Sequence, residues 1–365
     1  MKVQQLFLRN VRSIKNLDLD FRDPVTRKPL SRIVLAGANG SGKTTILESL
    51  YGLLAAAEKY GKGAIDYYSQ LRDVAIPLTA EIQLRVLFEV KLPNSLPIVL
   101  SVSYGDKEIS VTEISISEAA SVGGHRPSLG DKQVQWLENL KNASLFKQLA
   151  SSVRSASERQ GETIGSILYF PHNRHLPSVP QGELGFEPKA YQWAYKYQAS
   201  DEWKGSTESY LFSLNYLDLE DRDRKFPANR FSQTVAVVNA VLVGKQIARI
   251  EKGRVVIETD GGQTHSLDDL SSGEKQLVLL LIEITRRVVP GSVILIDEPE
   301  ISLHPTWQRG LMAALDKIIE QYEAQVILAT HSLEVATSVM PEEVISLSDL
   351  GLPRGKWEPE REALA

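Results

Sequence analysis

The chain contains no cysteine. That absence excludes disulfides, zinc ribbons and thiol nucleophiles, and it fits a reducing compartment. Long apolar runs are also missing. The stretch Val235–Val243 is interrupted by Asn239 and falls short of the roughly 20 residues a bilayer-spanning helix needs. The start, MKVQQLFLRNVRSIKNLDLDF, alternates apolar and polar residues like a strand, and lacks the unbroken apolar core of a secretory signal. No internal repeat and no sustained heptad pattern occurs. A large excess of one charge is missing too: 41 Lys and Arg stand against 46 Asp and Glu, a net charge of −5, and the isoelectric point is about 5.8. This argues against a surface built all over for nucleic acid, although a local basic strip would not show in the total. Together these absences predict a soluble, cytoplasmic protein with no membrane partner.

What is present suits a sizeable core. The 365 residues are 42% hydrophobic, enough for one large α/β domain or two ordinary ones. Two strands are predicted over residues 3–21, and a short apolar strand over 32–36. The latter runs into GANGSGKTT, followed by a helix over 43–57 with Ile46, Leu47, Leu50, Leu53 and Leu54 on its buried side. Alternation over 80–116 predicts an antiparallel sheet with turns at Pro93-Asn94 and Gly105-Asp106. The Ser- and Gly-rich stretch 117–130 reads as a mobile loop, and 167–170 as a strand ending at Pro171. Residues 175–232 are polar, aromatic and irregular, with helix in parts. A hairpin is expected over 246–266, a helix from LSSGEKQ to about residue 289, and strands over 292–296, 325–329 and 344–347. A helix is expected near 305–322.

Residues 37–44, GANGSGKT, fit GxxxxGK[ST] with a strand before and a helix after. In such a loop, glycines let backbone amides curl around phosphate oxygens. Lys43 would neutralise the β- and γ-phosphates, and Thr44 would offer a hydroxyl to Mg²⁺. The loop residues Asn39, Gly40, Ser41, Gly42, Lys43, Thr44 and Thr45 are thus the candidate ATP contacts. A second constellation is the apolar run VILI ending in Asp297-Glu298. A carboxylate at the end of a strand beside a phosphate loop can hold Mg²⁺, the role given to Asp297 with Thr44. Glu298, one residue on, can orient or deprotonate an attacking water. His331, in Thr330-His331-Ser332 after the next strand, can sense the γ-phosphate. The stretch LSSGEKQ at 270–276 has the pattern of a helix cap, with Ser271 three residues ahead of Glu274. A capped helix start is also an anion site.

These residues together have a family look. The segments LFLRNVRSIKNLDLDF, GANGSGKTT, LSSGEKQ, VILIDEPEISLHP and ATHS occur in that order across almost the whole chain. The chain resembles ABC-type ATPases of the structural-maintenance, Rad50 and RecF-like class. Within that class it is most similar to the compact ATPases related to overcoming-lysogenization-defect proteins. DEPEISLHP points to this compact branch, since a transporter ATPase would usually continue as DEPT-S-LD. The resemblance implies an α/β fold: an ABC-type P-loop NTPase with a mixed central sheet, an antiparallel β subdomain and a helical signature lobe. It implies one domain over 1–365, with lobes at 1–171, 172–245 and 246–365. It further implies ATP and Mg²⁺ as cofactors and an ATP-dependent homodimer. LSSGEKQ would be the signature motif that caps the γ-phosphate held by the other subunit, through Ser271, Ser272, Gly273 and Glu274. Arg12 matches an N-terminal segment near the nucleotide. Two phosphate-type loops in one chain would then serve one nucleotide each, shared across a dimer.

The pattern is departed from in two places. Ser272 stands where many relatives have glycine. The Q-loop glutamine has no clear match, and Ser166–His175 lies where it should be. His172 or Asn173 can substitute for it, His172 and His175 can be a metal pair, or the stretch is a plain loop. No coiled-coil arms fit between the halves. With some thirty-five residues after His331, a nuclease domain like that of the overcoming-lysogenization-defect nucleases is not expected in this sequence. A separate effector protein is therefore the expected partner, in anti-phage defence or DNA repair. DNA is a further candidate partner through Arg222, Arg224, Lys225, Arg230, Lys245, Arg249, Lys252 and Arg254, although interleaved acids also suit an ordinary solvated face. The competing readings are a transporter ATPase subunit and an ATP-binding scaffold with little turnover.

Overall fold

The computed structural model describes residues 1–61, 82–90, 98–104, 120–124, 165–174, 192–198, 206–223 and 229–347. Its centre is a six-stranded sheet in which every neighbouring pair is parallel. In spatial order the strands are β14 (Val344–Ser346), β3 (Arg32–Ala36), β13 (Gln325–Thr330), β12 (Val293–Asp297), β7 (Ile167–Phe170) and β8 (Ala194–Lys196). The inner strands are almost wholly apolar because both faces of the sheet are covered. Ile33, Leu35, Val293, Leu295, Ile327 and Ala329 face one cluster, which holds Ile46, Leu47, Leu50, Leu53 and Leu54 of α1 (Lys43–Gly61). Their alternates Val34, Ala36, Ile294, Ile296, Val326 and Leu328 face the other. That second cluster takes in α4 (Ser272–Arg287) through Leu277, Val278, Leu281 and Ile284, and α5 (Pro305–Tyr322) through Leu311, Leu315 and Ile318. The period of two along each strand thus divides the molecule into two layers of core.

A second sheet lies over α1. It runs β2 (Ile14–Asp20), β1 (Lys2–Val11), β4 (Gln83–Val90), β5 (Ile98–Tyr104) and β6 (Ala120–Gly124). Its pairs are antiparallel except β5 with β6, which is parallel. The buried side chain of Gln325 joins the two sheets: its Oε1 accepts from the Val3 N–H at 2.6 Å, and its amide donates to the Val3 and Leu30 carbonyls at 3.0 and 2.8 Å. A small third sheet, β9 (Lys245–Glu251), β10 (Arg254–Thr259) and β11 (Thr264–His265), packs against α2 (Thr207–Glu220) and α3 (Arg230–Asn239). The last helix is the short α6 (Leu333–Thr337).

The expected strands at the start, at 32–36, 167–170, 292–296 and 325–329, and the hairpin near 246–266, are present with ends shifted by a few residues. Within the stretch expected as a loop, 120–124 instead forms β6, because the open edge of β5 offers unpaired backbone groups that a Gly-rich segment can meet. The turns at Pro93-Asn94 and Gly105-Asp106, the alternating stretch 108–116, His175, Arg224, Lys225 and residues 348–365 lie outside the described residues. Among the described residues, no helix is long and apolar enough to cross a membrane.

Candidate functional site

The carboxyl ends of β3, β12, β13 and β7 converge on the loop that precedes α1. In that loop Gly40 and Gly42 have φ of +81° and +92°, a region that side-chain-bearing residues enter only at a cost. This twist turns the loop around the α1 N-terminus. Lys43 is buried, and its Nζ donates to the Gly37 and Ala38 carbonyls, both at 2.8 Å. Burial lowers the Lys43 pKa, while Glu298, Asp297 and Glu300 pull it back up. Asn39 and Gly40 are exposed on the outer bend, whereas Thr45 is buried at the base.

Thr44 points across to β12: its Oγ1 donates to Asp297 Oδ2 at 2.8 Å. Asp297 is fully buried, and its other oxygen, Oδ1, has no hydrogen-bond partner. Burial raises the Asp297 pKa and the charge of Glu298 adds to that, against the lowering effect of the Thr44 hydrogen bond and His172. A buried carboxylate oxygen without a partner, beside a hydroxyl and a Gly-rich loop, fits a hard divalent cation such as Mg²⁺. His172 and Asn173, just past β7, are both exposed, but His172 Nδ1 comes within 3.6 Å of Asp297 Oδ2. Of the two residues offered for the missing Q-loop glutamine, the fold brings His172 to the site. Among the described residues, no group of three His, Asp or Glu side chains forms a metal cluster.

Glu298 adopts φ +47°, and its N–H donates to the Ala329 carbonyl at 2.8 Å. His331 Nδ1 lies 3.9 Å from Glu298 Oε1 and 3.3 Å from Glu300 Oε1. Glu300, which sequence reasoning passed over, is buried and organises this corner. Its Oε1 accepts from Thr330 Oγ1 at 2.6 Å and from the His331 N–H at 2.9 Å. The third acid in DEPE was the available signal. A second omission is Arg174, buried beneath the ends of β7 and β12, whose guanidinium donates to the Asp297 and Glu298 carbonyls at 2.8 and 3.1 Å. Arg12 sits in the tight turn between β1 and β2, with φ +51°. The turn carries it over α1, where Nη1 lies 2.7 Å from Glu48 Oε2 and 3.4 Å from Thr45 Oγ1.

The start of α4 is built differently. Ser271 is its N-cap: its Oγ accepts from the Glu274 N–H, and Glu274 Oε2 accepts from the Ser271 N–H and Oγ at 2.9 and 2.8 Å. Lys245 pairs with the buried Glu274 at 2.8 Å. A Cβ added at Gly273 would stand 2.3 Å from the Ser302 carbonyl oxygen, so only glycine fits that approach. Ser271 and Ser272 are exposed. Among the described residues, no hydrogen bond or ion pair joins 271–274 to the 37–45 loop of the same chain. Of the candidate DNA-facing cations, Arg230 pairs with Asp218 and Asp221, Lys245 with Glu274, Arg249 with Glu251 and Glu258, and Arg254 with Glu208. The interleaved acids thus pair with four of the six described cations of that strip; Arg222 and Lys252 have no ion pair among the described residues.

Comparison with known proteins places this geometry. A family model described as "AAA domain, putative AbiEii toxin, Type IV TA system" matches residues 32–337. The chain is 35% identical over 100 residues to a "Retron Vc95 probable ATPase" of Vibrio cholerae, covering 24% of this chain and 19% of that protein. It is also 35% identical over 85 residues to a "Retron Ec83 probable ATPase" of Escherichia coli, covering 20% of this chain and 15% of that one. It therefore aligns with under a fifth of the length of these relatives. Among solved structures, an SMC head bound to the C-terminal winged-helix domain of ScpA matches with a TM-score of 0.50 at 13% identity, covering 95% of this chain and 94% of that one. That likeness shows the fold, an ABC-type α/β P-loop NTPase. The chain belongs to the AAA-domain ATPase family of that first match.

Proposed function

On that membership, we propose that the protein is an ATP-dependent switch that hydrolyses ATP at composite sites of a homodimer and controls a separate effector. Residues 37–45 hold the phosphates, with Lys43 donating to the β- and γ-oxygens. Thr44 and Asp297 would hold Mg²⁺, which would supply electrostatic stabilisation of the phosphate oxygens. Glu298 accepts the proton of the attacking water, and His331, anchored by Glu300, donates toward the γ-phosphate. His172 fills the place of the Q-loop glutamine. The lobes at 1–171, 172–245 and 246–365 act as one domain in the cytoplasm.

The observation that carries the shared site is the contrast at the start of α4. Ser271 and Ser272 are exposed at a helix N-terminus, a setting that favours anions, yet they are not bonded to the phosphate loop of their own chain. A second copy would bring its own loop to them. The relatives' names, retron ATPases, support a place in anti-phage defence, with DNA repair as the neighbouring alternative. Pairing of Arg230, Lys245, Arg249 and Arg254 with acids supports a protein effector over direct DNA contact.

The test mixes two variants. Ser271→Arg fills the space for the other subunit's γ-phosphate while leaving its own loop intact, and Lys43→Ala does the reverse. Each alone should be inactive in steady-state ATP hydrolysis. A mixed dimer has one composite site carrying both lesions and one carrying neither, so the mixture should regain part of the activity. If tagged pull-down shows subunit exchange and no activity returns, the shared-site reading fails. Absence of turnover in wild type despite ATP binding would instead favour a scaffold.

A further inference from the structure

The ends of β7 and β12 are joined by a single buried cation. Arg174 is 4% exposed. Its Nη1 donates to the carbonyls of Phe170, Pro171 and Asp297 at 3.3, 2.6 and 2.8 Å, and its Nη2 to the Glu298 carbonyl at 3.1 Å. No carboxylate pairs with it among the described residues; burial pulls its pKa down to about 10 against the raising pull of Asp297 and Glu300. A buried guanidinium whose Nη atoms meet only main-chain oxygens, and whose Nε has no partner among the described residues, is costly to keep, and a plain strand-end brace would not require a charge. Two of its acceptors, the carbonyls of Asp297 and Glu298, belong to adjacent residues. Holding both fixes the torsions between them, including the φ of +47° at Glu298. That conformation needs surroundings that over-determine it. The Arg174 carbonyl in turn accepts from Gln276 Nε2 of α4.

We propose that Arg174 is a positioning residue for Glu298. Its planar fork locks the peptide units at 297 and 298 so that the Glu298 carboxylate is presented to the water attacking bound ATP, and Gln276 holds Arg174 from the signature helix of the same chain. The start of that helix, which faces the other subunit's nucleotide, is thereby tied to the base of its own. The proposal rests on the ATPase reading above. A lysine ammonium keeps the charge but cannot span the four carbonyls in one plane.

The experiment compares full-length Arg174→Met, Arg174→Lys and Gln276→Leu with wild type. It measures ATP affinity by titration calorimetry, kcat and KM by steady-state hydrolysis, and melting temperature. A misplaced Glu298 should cost about 100-fold in kcat for Arg174→Met and at least about tenfold for Arg174→Lys, with ATP affinity within about threefold of wild type. Gln276→Leu should lose about three- to tenfold in kcat, again with affinity kept. Wild-type kcat in Arg174→Lys or Arg174→Met overturns the proposal, as does a parallel fall of kcat and affinity in a folded variant. Should the Arg174 variants fail to fold, Gln276→Leu decides: an unchanged kcat overturns the proposal. A wild type that binds ATP without turnover defeats the ATPase reading and this proposal together, whereas turnover indifferent to Arg174 defeats this proposal alone.

Discussion

The two helix starts that can meet phosphate differ in how far their own chain completes them. At the first, Lys43 and Thr44 of α1 are both engaged within the chain, by loop carbonyls and by Asp297 of β12. Glu298 and His331 stand next to that pair. At the second, Ser271, Glu274 and Lys245 only close the helix cap, and the outward serines meet solvent. A cradle completed within its own chain, beside Glu298 and His331, can bind ATP in one chain, whereas an exposed cap can act only on what another molecule presents. Lesions in the first should therefore abolish binding or chemistry within the chain, and lesions in the second should spare binding.

The largest effect expected is that of Lys43→Ala. No other side chain of the loop carries positive charge, so ATP affinity should fall by at least about 100-fold, with the fold retained; unchanged affinity in a calorimetric titration would remove Lys43 from the phosphate site. Glu298→Gln keeps shape and loses the base. Turnover should drop by roughly 10²–10⁴-fold with ATP still bound, and the ATP-bound dimer should accumulate in size-exclusion chromatography. Wild-type hydrolysis in this variant would reassign the base.

Gly273→Ala probes the second helix start and should act through packing. The new methyl meets the Ser302 carbonyl oxygen at 2.3 Å, so stability should fall by about 1–3 kcal/mol, read as a lower melting temperature. An unshifted melting point would mean that the loop yields freely there.

The smallest effect concerns pH. Burial pushes Glu274 toward the protonated form, but hydrogen bonds from Lys245 and Ser271 outweigh it and hold its pKa below the usual value. A depressed carboxyl stabilises the fold above its unfolded pKa of about 4.3 and loses that contribution as pH falls through the folded value. Glu274→Gln should therefore lower stability by about 1 kcal/mol or less at neutral pH. The gap from wild type should narrow in acid. A gap independent of pH would show that the side chain acts by shape alone.

Much of this was written in local sequence. A strand, a Gly-rich loop and a helix start are contiguous in GANGSGKTT, and the apolar run before Asp297-Glu298 is contiguous too. Short-range sterics and the two-residue period of a strand fix such elements wherever they occur. The cap at Ser271 and Glu274 is likewise a three-residue affair. The pairing of Thr44 with Asp297, 253 positions apart, could be expected only because the phosphate-loop pattern and an acid at a strand end together imply a shared Mg²⁺ site.

Tertiary structure decided the rest, because the partners come from strand ends far apart in the chain. Glu300 reads as one more acid until β13 brings Thr330 and His331 to it. Arg174 reads as a loop residue until the parallel pairing of β7 with β12 sets the carbonyls of Asp297 and Glu298 within its reach. His172 and Asn173 are equivalent in sequence and both exposed, and only the turn after β7 brings His172 within reach of Asp297. The basic strip at 222–254 left open a DNA or effector surface and an ordinary solvated face; folding sets acids from α2, β10 and α4 against four of its cations, as the second reading has it. Spacing along a chain constrains neighbours within a few residues. Which charges meet across a sheet depends on strand order and register, and those are set by how the two apolar faces of the sheet are covered.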